Sequence, residues 1–252
     1  MQRVFITGAS SGLGAGLARH YGKPGATLGL VARRAALLET VAEELRAAGA
    51  TAHVYVADVA DTAAMRTAIE RFLGDAGGVD GVIANAGVGS GRPMLEGDAE
   101  EVARLMRINV IGVTNTVVPF LPVMLAQHAG VLCAISSMAG HRATPGRVPY
   151  GASKKAVTTF MDGLRMDLHG SGVHAMTICP GFVRTPMTEG MEKMMFVVEC
   201  DDAVRAMAGA IEARRNTFTF PWQMNLLKEL MMRAPESLVR RFAPKPRDPS
   251  PS

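Results

Sequence analysis

Short runs of apolar, often β-branched residues alternate along the chain with longer stretches in which apolar positions recur at helical spacing. In the stretch Ala35–Ala48 apolar residues return every three or four positions, which predicts an amphipathic helix that Gly49 ends. Asp61 is a predicted N-cap for a second helix, Thr62–Leu73. The predicted strands are Val4–Thr7, Thr27–Val31, His53–Ala57, Gly81–Ala84, Val131–Ile135, Val173–Ile178 and a last one that begins at Phe218.

Strands that alternate with helices of this length predict right-handed crossover connections and a parallel sheet covered on both faces. The predicted fold class is α/β, with a Rossmann-type, doubly wound parallel β-sheet flanked by helices on both faces. No repeat or linker interrupts the pattern, so we expect a single domain over residues 1–242, which ends in a helical segment at about residues 221–242. Residues 243–252 are rich in proline and charge and are expected to be disordered.

Length and composition are typical of such a domain. A chain of 252 residues, 48% of them hydrophobic, can bury a continuous core. We expect no membrane-spanning segment, because no apolar run reaches the roughly 18 residues needed, and no signal peptide, because Met1 runs directly into the first strand. The cysteines, Cys133, Cys179 and Cys200, lack metal-ligand spacing, which predicts buried reduced thiols, no metal site and a cytoplasmic protein.

The net charge of +4 and the isoelectric point near 9.2 raise the question of a nucleic-acid partner. The basic residues are scattered, however, and no recognised nucleic-acid-binding motif is present. This pattern favours a solvated surface with local anion sites for a phosphate-bearing cofactor, and we expect no nucleic-acid partner.

The first strand leads directly into a glycine-rich loop, Thr7–Gly14, and then into a helix, Ala15–Tyr21. The glycines allow a tight turn and a close approach of the backbone to a pyrophosphate, and the start of the helix offers free N–H groups and partial positive charge. The position between a strand and a helix strengthens the prediction of a dinucleotide site. The alternative is a tight strand-to-helix turn without a ligand.

The end of the second strand bears on the choice between NAD and NADP. Dinucleotide-binding sheets that take NAD place an acidic residue there, which holds the ribose hydroxyls. Here Arg33 and Arg34 occupy this region, and no acidic residue appears before Glu39. Planar guanidinium groups suit a 2′-phosphate, so the pattern favours NADPH over NADH. The alternative is a pair of exposed arginines beside a helix.

Three polar residues form a candidate reaction centre. Ser137 lies just past a strand end, and Tyr150 and Lys154 are four positions apart at the start of a helix, which places them on one helix face. A neighbouring ammonium lowers the pKa of a tyrosine, which is ordinarily near 10, and a positioned tyrosine can then exchange a proton with a carbonyl oxygen. A serine hydroxyl can hold the same oxygen. Taken alone, such a Tyr–Lys pair is most often a surface pair.

Together these motifs resemble the short-chain dehydrogenase/reductase family, in its single-domain branch of about 250 residues, over nearly the whole chain. Beyond the glycine loop, Asp58-Val59 matches the family's adenine contact, and Asn85-Ala86-Gly87 matches the motif after the fourth strand, although Ala84 replaces its usual first asparagine. Ser137, Tyr150 and Lys154 match the catalytic residues with the usual spacing. The remaining matches are the active-site Asn109, Pro180-Gly181 beside the nicotinamide, and Thr185 at its carboxamide.

The resemblance implies a role for each matched residue. Tyr150 would be the proton donor, with a Lys–Asn–water relay behind it in which Asn109 holds the water, and Lys154 would also bind the nicotinamide ribose. Ser136 is the alternative serine, but the spacing favours Ser137. No metal is expected. With the arginines included, the expected cofactor-binding residues are Gly8, Ser10, Ser11, Gly12, Leu13, Gly14, Arg33, Arg34, Asp58, Val59, Asn85, Ala86, Gly87, Tyr150, Lys154, Pro180, Gly181, Val183 and Thr185.

The expected activity is NADP(H)-dependent interconversion of a carbonyl and an alcohol, with a ketone reductase of lipophilic substrates as the leading hypothesis. A non-catalytic dinucleotide-binding regulator is the alternative, although such a protein would be expected to lose the tyrosine or the lysine. An epimerase or isomerase on this scaffold usually has a longer chain. The resemblance also implies a homodimer or homotetramer built on long helices near Val102–Leu121 and Tyr150–Leu168.

Two variable regions bear on specificity. The family places a substrate lid after Pro180-Gly181, here at about residues 186–200, and its Met187, Met191, Met194 and Met195 would share one helix face. With Ser137 and Tyr150, Met187 and Met191 are the expected substrate contacts, because methionine suits an adaptable apolar wall. Packing of the lid onto the core is the alternative. The segment 221–242 is expected to close the pocket or form an interface rather than lie on a membrane.

Overall fold

The structure is a computed structural model, and it describes residues 1–89, 98–142, 146–191, 194–237 and 241. Within these residues, seven parallel strands form one sheet in the order β3-β2-β1-β4-β5-β6-β7. The strands are β1 (Arg3–Thr7), β2 (Thr27–Ala32), β3 (Thr51–Val56), β4 (Gly81–Ala84), β5 (Gly130–Ile135), β6 (Val173–Pro180) and β7 (Thr217–Phe220). The order reverses between β1 and β4, which is where a doubly wound sheet opens a crevice for a ligand. The predicted fold class is confirmed.

Helices cover both faces of this sheet. They are α1 (Gly12–Tyr21), α2 (Ala35–Ala47), α3 (Thr62–Ala76), α4 (Ala99–Met106), α5 (Gly112–Val117), α6 (Leu121–Gln127), α7 (Val148–Asp167), α8 (Cys200–Glu212) and α9 (Trp222–Arg233). The local signals for their ends are confirmed. Asp61 accepts hydrogen bonds from Ala63 N at 2.9 Å and Ala64 N at 3.0 Å at the start of α3, and Gly49 has φ +89° after α2.

The core consists of two layers, one on each face of the sheet. On β1, Val4 and Ile6 point into the layer that also contains α1, α2 and α8, whereas Phe5 points into the other. Phe5 packs there against Phe72 and Phe120, with ring centroids 5.3 and 5.0 Å away. Because a central parallel strand is buried on both faces, its residues are apolar in a continuous run rather than in alternation.

The helical stretch Ala99–Gln127 differs from its sequence-based description. It contains a window with a mean hydropathy of 1.7 that is long enough to cross a membrane, so the expectation that no apolar run reaches that length is wrong. Of that window, 39% is buried, and Val117, Phe120 and Met124 pack into the core. Core helices of this kind meet the same criteria of length and composition, which makes them weak evidence for a membrane.

The prediction that the methionines after β6 share one helix face is also wrong. Within 184–191 and 194–199 the chain forms turns, and no helix begins before Cys200. Pro186 and Gly190, the latter with φ +79°, oppose a regular helix here. The Thr188 hydroxyl instead donates to the carbonyl oxygen of Val183 at 2.7 Å and closes a compact turn.

At the C-terminal end, α9 packs beside the end of β6. A Cβ atom on Gly181 would lie 2.9 Å from Met224 Cγ, so Met224 covers this glycine closely. Trp222, Leu226 and Leu230 lie on the opposite side of α9, with exposed fractions of 71%, 67% and 67%. The expected disordered tail, 243–252, lies outside the described residues, as do 238–240 and 242.

The cysteines are free thiols. Cys133 and Cys179 are buried, as predicted, whereas Cys200 at the start of α8 is only half-buried. In the part of the chain that the structure describes, no three His, Cys, Asp or Glu side chains are grouped closely enough to hold a metal ion.

Candidate active site

The glycine-rich loop connects β1 to α1 without room for side chains. Gly8 has φ +68°, and a Cβ atom on it would lie 2.8 Å from Asn85 Nδ2 and 2.9 Å from Ala86 Cα. A Cβ atom on Gly14 would overlap the carbonyl oxygen of Gly8. The loop can hold this tight path only with glycine at these positions, and the path brings its backbone and the start of α1 to the crevice.

The end of β4 holds this loop in place through side-chain hydrogen bonds. Asn85 Nδ2 donates to the carbonyl oxygen of Thr7 at 3.1 Å. The Thr7 hydroxyl accepts from the backbone N–H groups of Asn85 and Ala86, both at 3.2 Å. These bonds join the ends of β1 and β4, where the strand order reverses, and so fix the floor of the crevice.

The two arginines after β2 reach different partners. Arg34 Nη2 donates to the hydroxyls of Ser10 at 3.0 Å and Ser11 at 2.6 Å, so its guanidinium lies on the glycine loop. Arg33 Nη1 lies 3.4 Å from Asp58 Oδ2, at the end of β3. Two positive charges therefore flank the part of the crevice nearest to β2, and this part can accept an anionic group.

Ser137 and Tyr150 meet across the gap between β5 and α7. Ser137 follows β5 and caps a short 3₁₀ turn, where its hydroxyl accepts from Ala139 N at 3.2 Å. Tyr150 lies in the first turn of α7 and is partly exposed to the cleft. The pKa of Tyr150 was expected to be lowered by the neighbouring ammonium, but burial of its hydroxyl raises it above the ordinary 10. The Ser137 hydroxyl and the charge of Arg147 act in the opposite direction without outweighing burial.

Lys154 lies one turn further along α7 and is almost completely buried. Its Nζ donates to the carbonyl oxygen of Ile135 at 2.9 Å and lies 5.8 Å from the centroid of the Tyr150 ring. Burial lowers the pKa of Lys154 from 10.5 to about 8. Keeping Lys154 charged therefore costs the folded protein free energy. A buried charge of this kind beside Tyr150 is more typical of a functional site than of a surface pair.

Ser136 has a different environment from its neighbour. Its buried hydroxyl donates to the carbonyl oxygen of Lys154 at 2.8 Å and lies 3.0 Å from Thr158 Oγ1. This hydroxyl therefore ties β5 to α7, whereas Ser137 is the serine that interacts with Tyr150.

Asn109 approaches the same place from a π-helical turn, Arg107–Ile111, between α4 and α5. Its Oδ1 accepts from Val88 N at 2.8 Å, and its Nδ2 donates to Val88 O and to Ser153 Oγ, both at 3.0 Å. The Ser153 hydroxyl in turn donates to the carbonyl oxygen of Tyr150 at 2.8 Å. Sequence reasoning missed Ser153, because its role depends on a contact with a distant helix.

Gly87 separates the asparagine from the lysine. A Cβ atom there would lie 3.2 Å from Asn109 Oδ1 and 3.3 Å from Lys154 Nζ. The absence of a side chain leaves a narrow polar gap between the two groups, and a larger residue at this position would fill it.

A single cleft of about 310 Å³ joins the glycine loop to Ser137, Tyr150 and Lys154. It is lined by nearly all the sequence-predicted site residues. Gly14 and Asn109 lie behind the lining, and Met191 lies beyond it. Ser136, the alternative serine, also lines it, and the lining residues that the sequence did not single out are Ala32, Ala57, Val88, Ile108, Ile135, Pro186 and Thr188. An elongated cleft with a phosphate-type loop at one end and a polar cluster at the other fits an extended dinucleotide.

Comparisons with known proteins agree with this geometry. A family model described as short chain dehydrogenase matches residues 2–195. An uncharacterized oxidoreductase of Myxococcus xanthus is 38% identical over 222 residues, which are 88% of each chain. A short chain dehydrogenase/reductase of Burkholderia phymatum, solved with NAD, is 26% identical with a TM-score of 0.83 over 100% of this chain and 98% of its own. A 3-ketoacyl-(acyl-carrier-protein) reductase of Brucella melitensis, solved with NADH, is 26% identical with a TM-score of 0.79 over 86% and 96%.

Proposed function

We propose that this chain, which belongs to the short-chain dehydrogenase/reductase family of oxidoreductases, reduces a ketone or aldehyde to an alcohol with NADPH and catalyses the reverse reaction with NADP. Members of this family bind a nicotinamide dinucleotide. The observation that carries the proposal is the cluster of Ser137, Tyr150 and Lys154 at one end of the cleft whose other end is the glycine loop.

The dinucleotide supplies or accepts the hydride when it is bound, and the side chains manage the proton and the carbonyl oxygen. In reduction, the Tyr150 hydroxyl donates its proton to that oxygen, while the Ser137 hydroxyl holds the same oxygen by a hydrogen bond. A phenol whose pKa is raised by burial stays protonated at neutral pH. This state suits a proton donor, which is the role that reduction requires of Tyr150.

Lys154 and Asn109 support this proton transfer. With a pKa near 8, Lys154 is mostly protonated at neutral pH, so its ammonium can favour the phenolate that forms when Tyr150 gives up its proton. The same ammonium would hold the ribose hydroxyls of the cofactor. The gap at Gly87, between Asn109 and Lys154, offers the place for a water that returns the proton from solvent.

The preference for NADP(H) is inferred from Arg33 and Arg34. Both follow β2, where an acidic residue would otherwise hold the ribose, and Arg34 lies against the hydroxyls of Ser10 and Ser11. A 2′-phosphate placed there would meet two guanidinium groups, and charge-assisted bonds of this kind are about twice as strong as neutral ones. The two solved relatives named above hold NAD or NADH, so the preference rests on these arginines.

For the substrate we infer an apolar body. Pro186, Met187 and Thr188 line the same cleft as Ser137, and the exposed Met187 is suited to adapt to a lipophilic group. We also infer a cytoplasmic homodimer or homotetramer. Exposed apolar residues on the helical stretch Ala99–Gln127, among them Ile111 and Val118, support an interface there.

The test is loss of absorbance at the nicotinamide band, with NADPH and NADH in parallel, across a panel of ketones and aldehydes. We expect turnover with NADPH, fastest on hydrophobic ketones. Tyr150→Phe is expected to lower turnover by roughly 100-fold or more with NADPH binding unchanged. Full activity of Tyr150→Phe would refute the assigned proton donor. Tight cofactor binding without turnover of any compound would favour the regulator instead.

A further inference from the structure

The start of α7 carries a third cationic residue beside Tyr150 and Lys154. Arg147 is the N-cap residue of this helix and precedes the other two by three and seven positions. Residues at such spacing lie along one helix face. Arg147 therefore lies on the side of Tyr150 away from Lys154, at the N-terminal end of α7, whereas Lys154 is buried at the cleft.

Arg147 lacks the partner that a half-buried arginine usually has. In the described parts of the chain no carboxylate forms an ion pair with it, whereas the half-buried Arg3 and Arg165 pair with Asp80 and Asp162. Among the same described residues, the hydrogen bond of its side chain runs from Nη2 to Met191 Sδ at 3.8 Å. A thioether is a weak acceptor and a guanidinium has five N–H donors, so the residues that the structure describes satisfy little of the hydrogen-bonding capacity of Arg147.

This contact also places Arg147 relative to the cleft. Met191 belongs to the turn region after β6 whose neighbouring Met187 lines the cleft. The charge of Arg147 lies close enough to the Tyr150 hydroxyl to favour the phenolate. A substrate whose carbonyl oxygen lies at Ser137 and Tyr150 can thus extend along α7, between its first turn and Met191, to the guanidinium.

We propose that Arg147 binds a carboxylate on the substrate, so that the enzyme acts on oxo acids with an apolar body. This inference rests on the proposed function for the position of the carbonyl. The planar guanidinium matches a carboxylate with two parallel hydrogen bonds, and a site partly shielded from water strengthens the pair. A neutral ketone meets the same apolar wall but leaves Arg147 without a partner.

The test compares 4-oxo-4-phenylbutanoate with its methyl ester, which keeps the ketone and the ring but removes the charge. Calorimetry on the wild-type complex with NADP is expected to show the acid bound about tenfold or more tightly than the ester. Arg147→Gln should weaken binding of the acid by about tenfold and change that of the ester by less than about twofold. Arg147→Lys should recover part of the loss, because it restores the charge without the planar fork.

Arg214→Gln is the matched control. Arg214 is exposed between α8 and β7, at the amino ends of the strands and away from the cleft at their carboxyl ends, and its replacement should change neither affinity. Three results would overturn the inference: equal affinity of the wild-type complex for acid and ester, no binding of the acid, or an equal loss for both compounds in Arg147→Gln. The last would mean that Arg147 acts only through Tyr150 or the lid. Turnover is read separately, so reduction of the ester without any preference for the acid would leave the proposed function standing.

Discussion

Replacement of Lys154 by methionine is expected to abolish activity while leaving the protein, at neutral pH, at least as stable as before. Lys154 is 5% exposed, and burial lowers its pKa from 10.5 to about 8. Each unit of pKa corresponds to about 1.4 kcal/mol, so at pH 7 the buried ammonium costs the native state about 3 kcal/mol. The variant removes this cost but leaves the Ile135 carbonyl oxygen without its donor, which costs about 1 to 3 kcal/mol. The free energy of unfolding should therefore rise by about 0 to 2 kcal/mol.

The pH dependence tests this argument more sharply than the value at one pH. The native pKa of Lys154 lies below its ordinary value, so the cost of the charge is complete below pH 8 and disappears as the pH rises through 10.5. Only the wild-type protein carries this ammonium, so only its free energy of unfolding rises as the charge is lost. The difference between Lys154→Met and wild type should therefore shrink by about 2 kcal/mol between pH 7 and pH 9.5.

Urea unfolding measures this difference, without nucleotide and at equal protein concentrations, at several pH values from 7 to 9.5. Lys155→Met is the matched control, because Lys155 is the exposed neighbour on the same helix. Its effect should stay within about 0.5 kcal/mol at every pH. A difference between Lys154→Met and wild type that does not change with pH would refute the claim that the native ammonium is desolvated.

Three further predictions follow from the cleft. Arg33→Ala and Arg34→Ala should each weaken NADPH binding about tenfold more than NADH binding in fluorescence titrations, and equal effects on the two cofactors would show that neither arginine contacts the 2′-phosphate. Gly14→Ala should displace the glycine loop, lower stability by about 1 to 3 kcal/mol in urea unfolding and weaken both cofactors, and unchanged affinity would contradict a close backbone approach. Ser137→Ala should lower turnover with little change in stability, whereas Ser136→Ala should lower stability by about 1 to 3 kcal/mol; the reverse pattern would exchange their roles.

Local features of the chain were predicted well because they depend on near neighbours. The β-branched runs and turn residues placed every strand within a few residues, as for β3, predicted at His53–Ala57 and found at Thr51–Val56. The Asp61 cap and the left-handed Gly49 were also predicted correctly, since each needs only its own backbone conformation and adjacent N–H groups. The same reasoning failed for the methionines of the lid, which were predicted to share one helix face. Their spacing fits a helix, but Pro186 and Gly190 impose turns.

The amino-acid sequence by itself determined the doubly wound sheet, the glycine loop and the Tyr150–Lys154 pair. Each follows from periodicity or from spacing within one element, where helix pitch and strand alternation set the distances. Only the tertiary structure decided which elements meet. It brought Asn109 to Ser153 through a π turn, gave Ser136 and Ser137 different hydrogen-bond partners, and set Arg147 against Met191. Such contacts depend on how strands register and helices pack across the sheet, and residues far apart in the chain carry no local signal of them.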